Sequence, residues 1–138
     1  IGFSKFQDAF IESNLIVDKK QIVIGESFTC EVHLANLGKS TAFLTRVEHA
    51  VPEECDLIEK PEKCILDNGS LNLRGRKMAA LETGQIKLVV KPRKKGKFVF
   101  KPKIRYINEA GEIKSCSVEQ VTITVMELGI RGWLRGPG

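Results

Sequence analysis

Four cysteines and two histidines, spread over 138 residues, are the side chains best suited to binding a soft metal or acting as a nucleophile. A structural zinc site draws its thiolates from closely spaced pairs, with further Cys or His at matching intervals. Here no C-x-x-C occurs, eight residues separate Cys55 from Cys64, and His33 and His49 fall at no ligand spacing. Cys30 and Cys116 lie on segments that read as strands, far apart in sequence. They are expected to be free, mostly buried thiols, which suits a reducing, cytoplasmic setting better than an extracellular one. Cys55 and Cys64 are the pair best placed for a disulfide, which would close a short loop and require an oxidising environment or a thermophilic host.

Catalysis has little to build on. His33 and His49 have no Ser, Cys or carboxylate partner in a nucleophile motif, and both read as surface residues, His33 on a solvent-facing strand position. The run Lys94-Lys95-Gly96-Lys97 lacks the spacing and the following helix of a phosphate-cradling loop. Asn68-Gly69-Ser70 matches a glycosylation sequon, although Asn-Gly also has a turn role. The sequence therefore assigns no catalytic, cofactor-binding or metal-ligating residue, and the expected class is not an enzyme.

Charge is the stronger signal. Residues 91–105 hold eight Lys or Arg and no acid, so a whole-chain net charge of +5 leaves −3 for everything else. Arg93, Lys94, Lys95, Lys97, Lys101, Lys103 and Arg105 are the candidate contacts of this tract. They could meet an acidic protein, nucleic acid or an anionic membrane surface, or could simply keep an exposed strand from pairing. Nucleic-acid binding would weaken steeply with salt. The nearby Phe98, Phe100 and Tyr106 have the parity of core residues, so stacking platforms are missing. No apolar run reaches the roughly 18 residues of a membrane helix, and no signal peptide opens the chain. A first residue of Ile rather than Met is read as excision from a longer protein.

The segment 129–138, GIRGWLRGPG, holds the only tryptophan. Trp133 between Arg131 and Arg135 has the composition of an interface hot spot. Alternatively, it folds back to close the end of a sheet.

These side chains must be carried by strands. Around the basic tract, 84–108 reads as a β-hairpin: Ile86, Leu88 and Val90 alternate with polar positions, as do Phe98, Phe100, Ile104 and Tyr106, and 92–96 makes the turn. Phe28, Cys30, Val32 and Leu34 form the inner face of another strand, and Phe43, Val47 and Val51 that of the next. Asn68-Gly69 predicts a tight hairpin, 74–77 a polar link, and 52–63 a loop or a poorly ordered edge. The last strand is expected over 112–126, with a bulge near 117–119. Only 3–12 looks helical, with Phe3, Phe6 and Phe10 on one face and Ser4 and Gln7 fitting a capping box. The expected fold is all-β: a two-sheet antiparallel sandwich of about seven to nine strands with a short N-terminal helix.

Particular residues sharpen that reading. Gly25-Glu26, Asn36-Leu37-Gly38, Ala50-Val51-Pro52, Lys91-Pro92 through Gly96, Pro102 and Tyr106 together resemble the Ig-like β-sandwich accessory domains of prokaryotic multidomain proteins, of the CARDB and BatD type; the lysine content and the Gly-Ile-Arg-Gly-Trp-Leu tail look archaeal. The likeness covers about 15–126, leaving 1–14 as a helix or linker and 127–138 as a tail. It implies a non-catalytic appended module that contacts a protein partner, another domain of its own chain or a second copy, with no cofactor. Nucleic-acid binding through 91–105 is the second reading. The Cys, Trp, Cys framework of Ig domains proper is missing, so a pinned core disulfide is not implied.

Overall fold

A computed structural model describes residues 8–127, and all of its regular elements are strands. In chain order they are β1 (Ile11–Val17), β2 (Gln21–Val23), β3 (Phe28–Asn36), β4 (Ala42–Glu48), β5 (Cys55–Glu59), β6 (Ile65–Asp67), β7 (Ser70–Met78), β8 (Thr83–Pro92), β9 (Gly96–Phe100), β10 (Lys103–Ile107), β11 (Ile113–Ser117) and β12 (Val121–Met126). The first sheet has the order β1-β3-β8-β5 and the second β11-β10-β4-β7-β6. A small third sheet, β2-β12-β9, contains a parallel pair, β2 with β12. This is the β-sandwich that the alternation implies, of the Ig-like kind that the resemblance implies, with more strands than expected and a third sheet.

Alternation explains the core. Phe28, Cys30, Val32 and Leu34 of β3 are all buried, and so are Ile86, Leu88 and Val90 of β8 beside them. They join Leu44, Val47, Leu71 and Ile104 of the second sheet in one hydrophobic cluster. Phe28 reaches the third sheet, with ring centroids 6.4 Å from Phe98 and 6.3 Å from Phe100, the latter edge-on. Such tilted contacts suit the ring quadrupoles.

Several expectations give way. The helix over 3–12 does not form in its described part: Ile11 and Glu12 open β1, paired in register with Asn36 and Ala35 of β3. Residues 3–7 of that segment lie outside the described range. Ala9, Ile11 and Leu15 are buried at strand spacing, and a free edge of β3 offers backbone partners that outweigh a short amphipathic turn.

The hairpin at 84–108 is also dissolved. β8 pairs with β3 and β5, whereas β9 pairs with β12 and β10 with β4 and β11. The chain changes sheet twice, after Pro92 and around Pro102, both buried. Inward parity nevertheless runs unbroken from Phe98 through Phe100 and Pro102 to Ile104 and Tyr106. In the same way, 112–126 divides into β11 and β12 in different sheets, with Val118 buried at the crossing instead of a bulge.

A bulge does occur in β4. Its register with both neighbours shifts at Thr45, so Leu44 turns inward and Phe43 is only half-buried. The predicted polar link at 74–77 belongs to β7, which Arg74 and Gly75 traverse with φ of 57° and 71°. The Asn68-Gly69 turn forms as expected, both residues having positive φ, 50° and 79°. That is the type I′ signature between β6 and β7.

Candidate partner-binding surface

The eight basic residues of 91–105 are distributed over three sheets. Lys91 stands on the exposed face of β8, in register with Asp56 of β5. Arg93 fastens the acidic segment beneath it. Its guanidinium donates to the Asp56 carboxylate and to the backbone carbonyls of Glu53 and Cys55, and its N–H donates to the Glu54 carbonyl at 2.8 Å.

Lys94 and Lys95 are exposed on the link from β8 to β9, and Lys95 Nζ lies 3.4 Å from Glu127. Lys97 and Lys101 are exposed along and just after β9, whose outer edge has no strand partner among the described residues. Lys97 is in register with Thr124 of β12, and the Thr124 N–H donates to the Lys20 carbonyl at 2.8 Å. Lys19 and Lys20 are exposed too, just before β2 on the far side of β12 from β9. Lys94, Lys97 and Lys101 have no ion-pair partner among the described residues.

Lys103 and Arg105 lie on β10 in the second sheet, where pairing with β4 brings in two residues that sequence reasoning missed, Arg46 and Glu48. Arg46 stands directly opposite Arg105, with Asn72 beyond it on β7 and Ser115 on the other side on β11. Both guanidiniums reach one oxygen of Glu48, Arg46 Nη2 and Arg105 Nε each lying 2.8 Å from Oε2. The Arg105 hydrogen bond, seconded by the charges of both arginines, holds the Glu48 carboxyl below its usual range. Thr45 Oγ1 donates to the Arg105 carbonyl at 2.9 Å. Arg46-x-Glu48 is visible in sequence as two charges on one strand face. Only the pairing of β4 with β10 reveals that Arg105 joins them.

The cysteines are all free thiols, including the candidate pair Cys55 and Cys64: both are buried, Cys55 at the start of β5 and Cys64 before β6. Burial pushes the thiols of Cys30 and Cys55 up to about 12 and raises that of Cys64. Those thiols remain protonated, the inert form. Cys116 is half-buried, with Sγ 2.9 Å from Ser13 Oγ. His33 stays half-exposed with Nε2 2.8 Å from Glu31. Among the described residues no cluster of three or more His, Cys, Asp or Glu could hold a metal ion, and no helix is long and apolar enough to cross a membrane. Arg131, Trp133 and Arg135 lie outside the described residues.

No family model and no curated protein matches this chain. Solved structures do resemble it. A non-cellulosomal cohesin from Archaeoglobus fulgidus aligns over 92% of this chain and 97% of its own, at 8% identity and a TM-score of 0.52. The VesB protease of Vibrio cholerae aligns over 88% of this chain at 9% identity and a TM-score of 0.56, yet this chain spans only 32% of it. The CARDB domain of PF1109 from Pyrococcus furiosus, in complex with di-metal ions, covers 88% of this chain and 97% of its own, at 14% identity and a TM-score of 0.49. At such identities the likeness to the cohesin and to VesB shows the Ig-like fold alone, on which many functions are carried.

Proposed function

We propose that this domain is a non-catalytic interaction module that docks an acidic protein surface on its third sheet, through Lys94, Lys95, Lys97 and Lys101. One observation carries the reading. Lys97 and Lys101 lie exposed along and just after the open-edged strand β9, Lys94 and Lys95 lie exposed on the link that leads into it, and among the described residues Glu127 is the one acid in ion-pair range of any of the four. By contrast, the tract's two arginines, Arg93 and Arg105, are tied to carboxylates within the domain. Uncompensated charge on one face steers and orients an oppositely charged partner. The cohesin likeness is in keeping with a module that contacts other proteins. The tail with Arg131, Trp133 and Arg135 follows β12 in the chain, the strand beside β9, which makes Trp133 a further contact to test.

The test is binding of the purified domain to immobilised polyglutamate and to a short DNA duplex, at low and moderate salt. Polyglutamate binding should be lost in a Lys94→Glu, Lys97→Glu, Lys101→Glu triple variant whose thermal unfolding is unchanged, and weakened by Trp133→Ala. Steeply salt-dependent retention of the duplex, without the peptide, would favour the nucleic-acid reading instead. Retention of neither rejects docking by charge.

A further inference from the structure

Arg46 and Arg105 carry the same charge and occupy directly opposed positions on β4 and β10. Like charges so placed destabilise a strand pair. A bulge lies directly beside them: the register of β4 with β10 shifts at Thr45, between Arg46 and Leu44, and Thr45 Oγ1 donates to the Arg105 carbonyl. Bulges re-aim side chains, and they recur beside functional sites.

Glu48 only partly satisfies the pair. A single carboxylate oxygen serves both guanidiniums, leaving one net positive charge. Each guanidinium is a fork of several N–H donors. Arg46 commits Nη2 and Arg105 commits Nε to Glu48, and the remaining nitrogens of both have no acceptor among the described residues. Both side chains are accessible, with 53% of Arg46 and 34% of Arg105 exposed.

The surrounding shape is a groove of about 520 Å³ on the outer face of the second sheet. Its floor follows the row Asn72, Arg46, Arg105, in which each side chain can donate. Ile107 and the 70%-exposed Ile113 make one end apolar, and Asp67 closes the other with negative charge. A simple anion would use the arginines and ignore the isoleucines. An acidic residue beside an apolar one would use both.

We infer that this groove receives a side-chain carboxylate from an acidic, apolar-flanked peptide segment of a protein partner, gripped between Arg46 and Arg105 while the neighbouring apolar side chain rests on Ile107 and Ile113. Glu48 holds the two forks side by side and attenuates their charge. This site is distinct from the lysine face of the third sheet and does not depend on it.

The experiment is titration of the whole chain with a capped peptide alternating Leu and Glu, followed by fluorescence anisotropy and by the arginine Nε–Hε signals in NMR. Inorganic phosphate is titrated in parallel. Arg46→Gln and Arg105→Gln should each weaken peptide binding about tenfold, the scale of one charge-assisted contact. Glu48→Gln should tighten it, because the attenuating charge is gone. Ile113→Ser should weaken the peptide and leave any phosphate binding unchanged. The Lys94, Lys97, Lys101 triple variant should keep the Arg46 and Arg105 signals responsive. Arg46 sits at the exposed rim, so its variant stays informative even if Arg105→Gln unfolds. Peptide binding indifferent to Arg46→Gln, weakened by Glu48→Gln, or absent while phosphate binds, would each overturn the assignment.

Discussion

A side chain on Gly38 would collide with the backbone of Asp8: a Cβ there would lie 1.8 Å from the Asp8 carbonyl oxygen. The entering chain is laid across the Asn36-Leu37-Gly38 corner and tied down, with the Leu37 N–H donating to the Phe10 carbonyl at 2.8 Å. Gly38→Ala must displace backbone, so it should cost about 3 kcal/mol, the upper range of overpacking. Gly111→Ala is the comparison, with φ of +82° but open space around it; it should cost only about 1 kcal/mol of left-handed strain. Urea denaturation of the two variants checks the difference.

Asn36, fully buried, fixes the same corner from below. Its Oδ1 accepts from the N–H groups of Phe10 and Gly38, and its Nδ2 donates to the carbonyls of Ser40 and Met78. Asn36→Ala strands several buried backbone groups at once, and should destabilise by about 3 kcal/mol. Hydrogen exchange at Phe10 and Gly38 should rise together in that variant.

Glu48 makes acid sensitivity specific. Its folded carboxyl titrates below the ordinary value of 4.5 because of Arg105 first and Arg46 second. The stabilisation is therefore fully present above the unfolded value and lost as the pH falls through the folded one. Denaturation midpoints measured across the acid range should fall less steeply for Glu48→Gln than for the wild type.

The thiols act in the opposite direction. Cys30 and Cys55 ionise at 9.0 when unfolded but at about 12 when folded, because burial disfavours the thiolate. Each therefore supports the fold below 9.0, and that support disappears as the pH rises from 9.0 towards 12. A Cys30→Ala, Cys55→Ala variant should lose less stability over that interval than the wild type does.

Thiol accessibility gives a separate check. In the native protein at neutral pH a thiol reagent should label Cys116, the half-buried thiol, ahead of buried Cys30, Cys55 and Cys64. Cys116→Ser should abolish the fast phase, and denaturant should expose the remaining three.

The sequence made facing legible and partnership illegible. Alternation at Ile86, Leu88 and Val90, and at Phe98, Phe100, Ile104 and Tyr106, identified the inward side chains, because parity is a local property of extended chain. It could not show that the chain leaves one sheet after Pro92 and another near Pro102, since inward side chains remain inward across a sandwich corner. Asn68-Gly69 was readable because its turn is decided by two residues' own φ preferences. Phe43 was misplaced because one extra residue, Thr45, reverses parity within its strand. The opposition of Arg46 and Arg105 was illegible for another reason: they are 59 positions apart, and parity does not show which strands pair. The helix expected over 3–12 failed in its described part for a related reason: the Asn36 corner, remote in sequence, offers its backbone an extended partner.

The parallel pairing of β2 with β12 has a consequence for the order of assembly. β2 emerges from the ribosome about a hundred residues before the strand that it lies against. Until residue 126 has been released, Ile22 has no partner on that side and Phe28 lacks β12 to brace the β9 rings that cover it. Entropy of closing so long a loop must be overcome before that contact stabilises anything. The last sheet to close therefore contains one of the first strands made, and synthesis must run almost through the whole domain before its folding can finish.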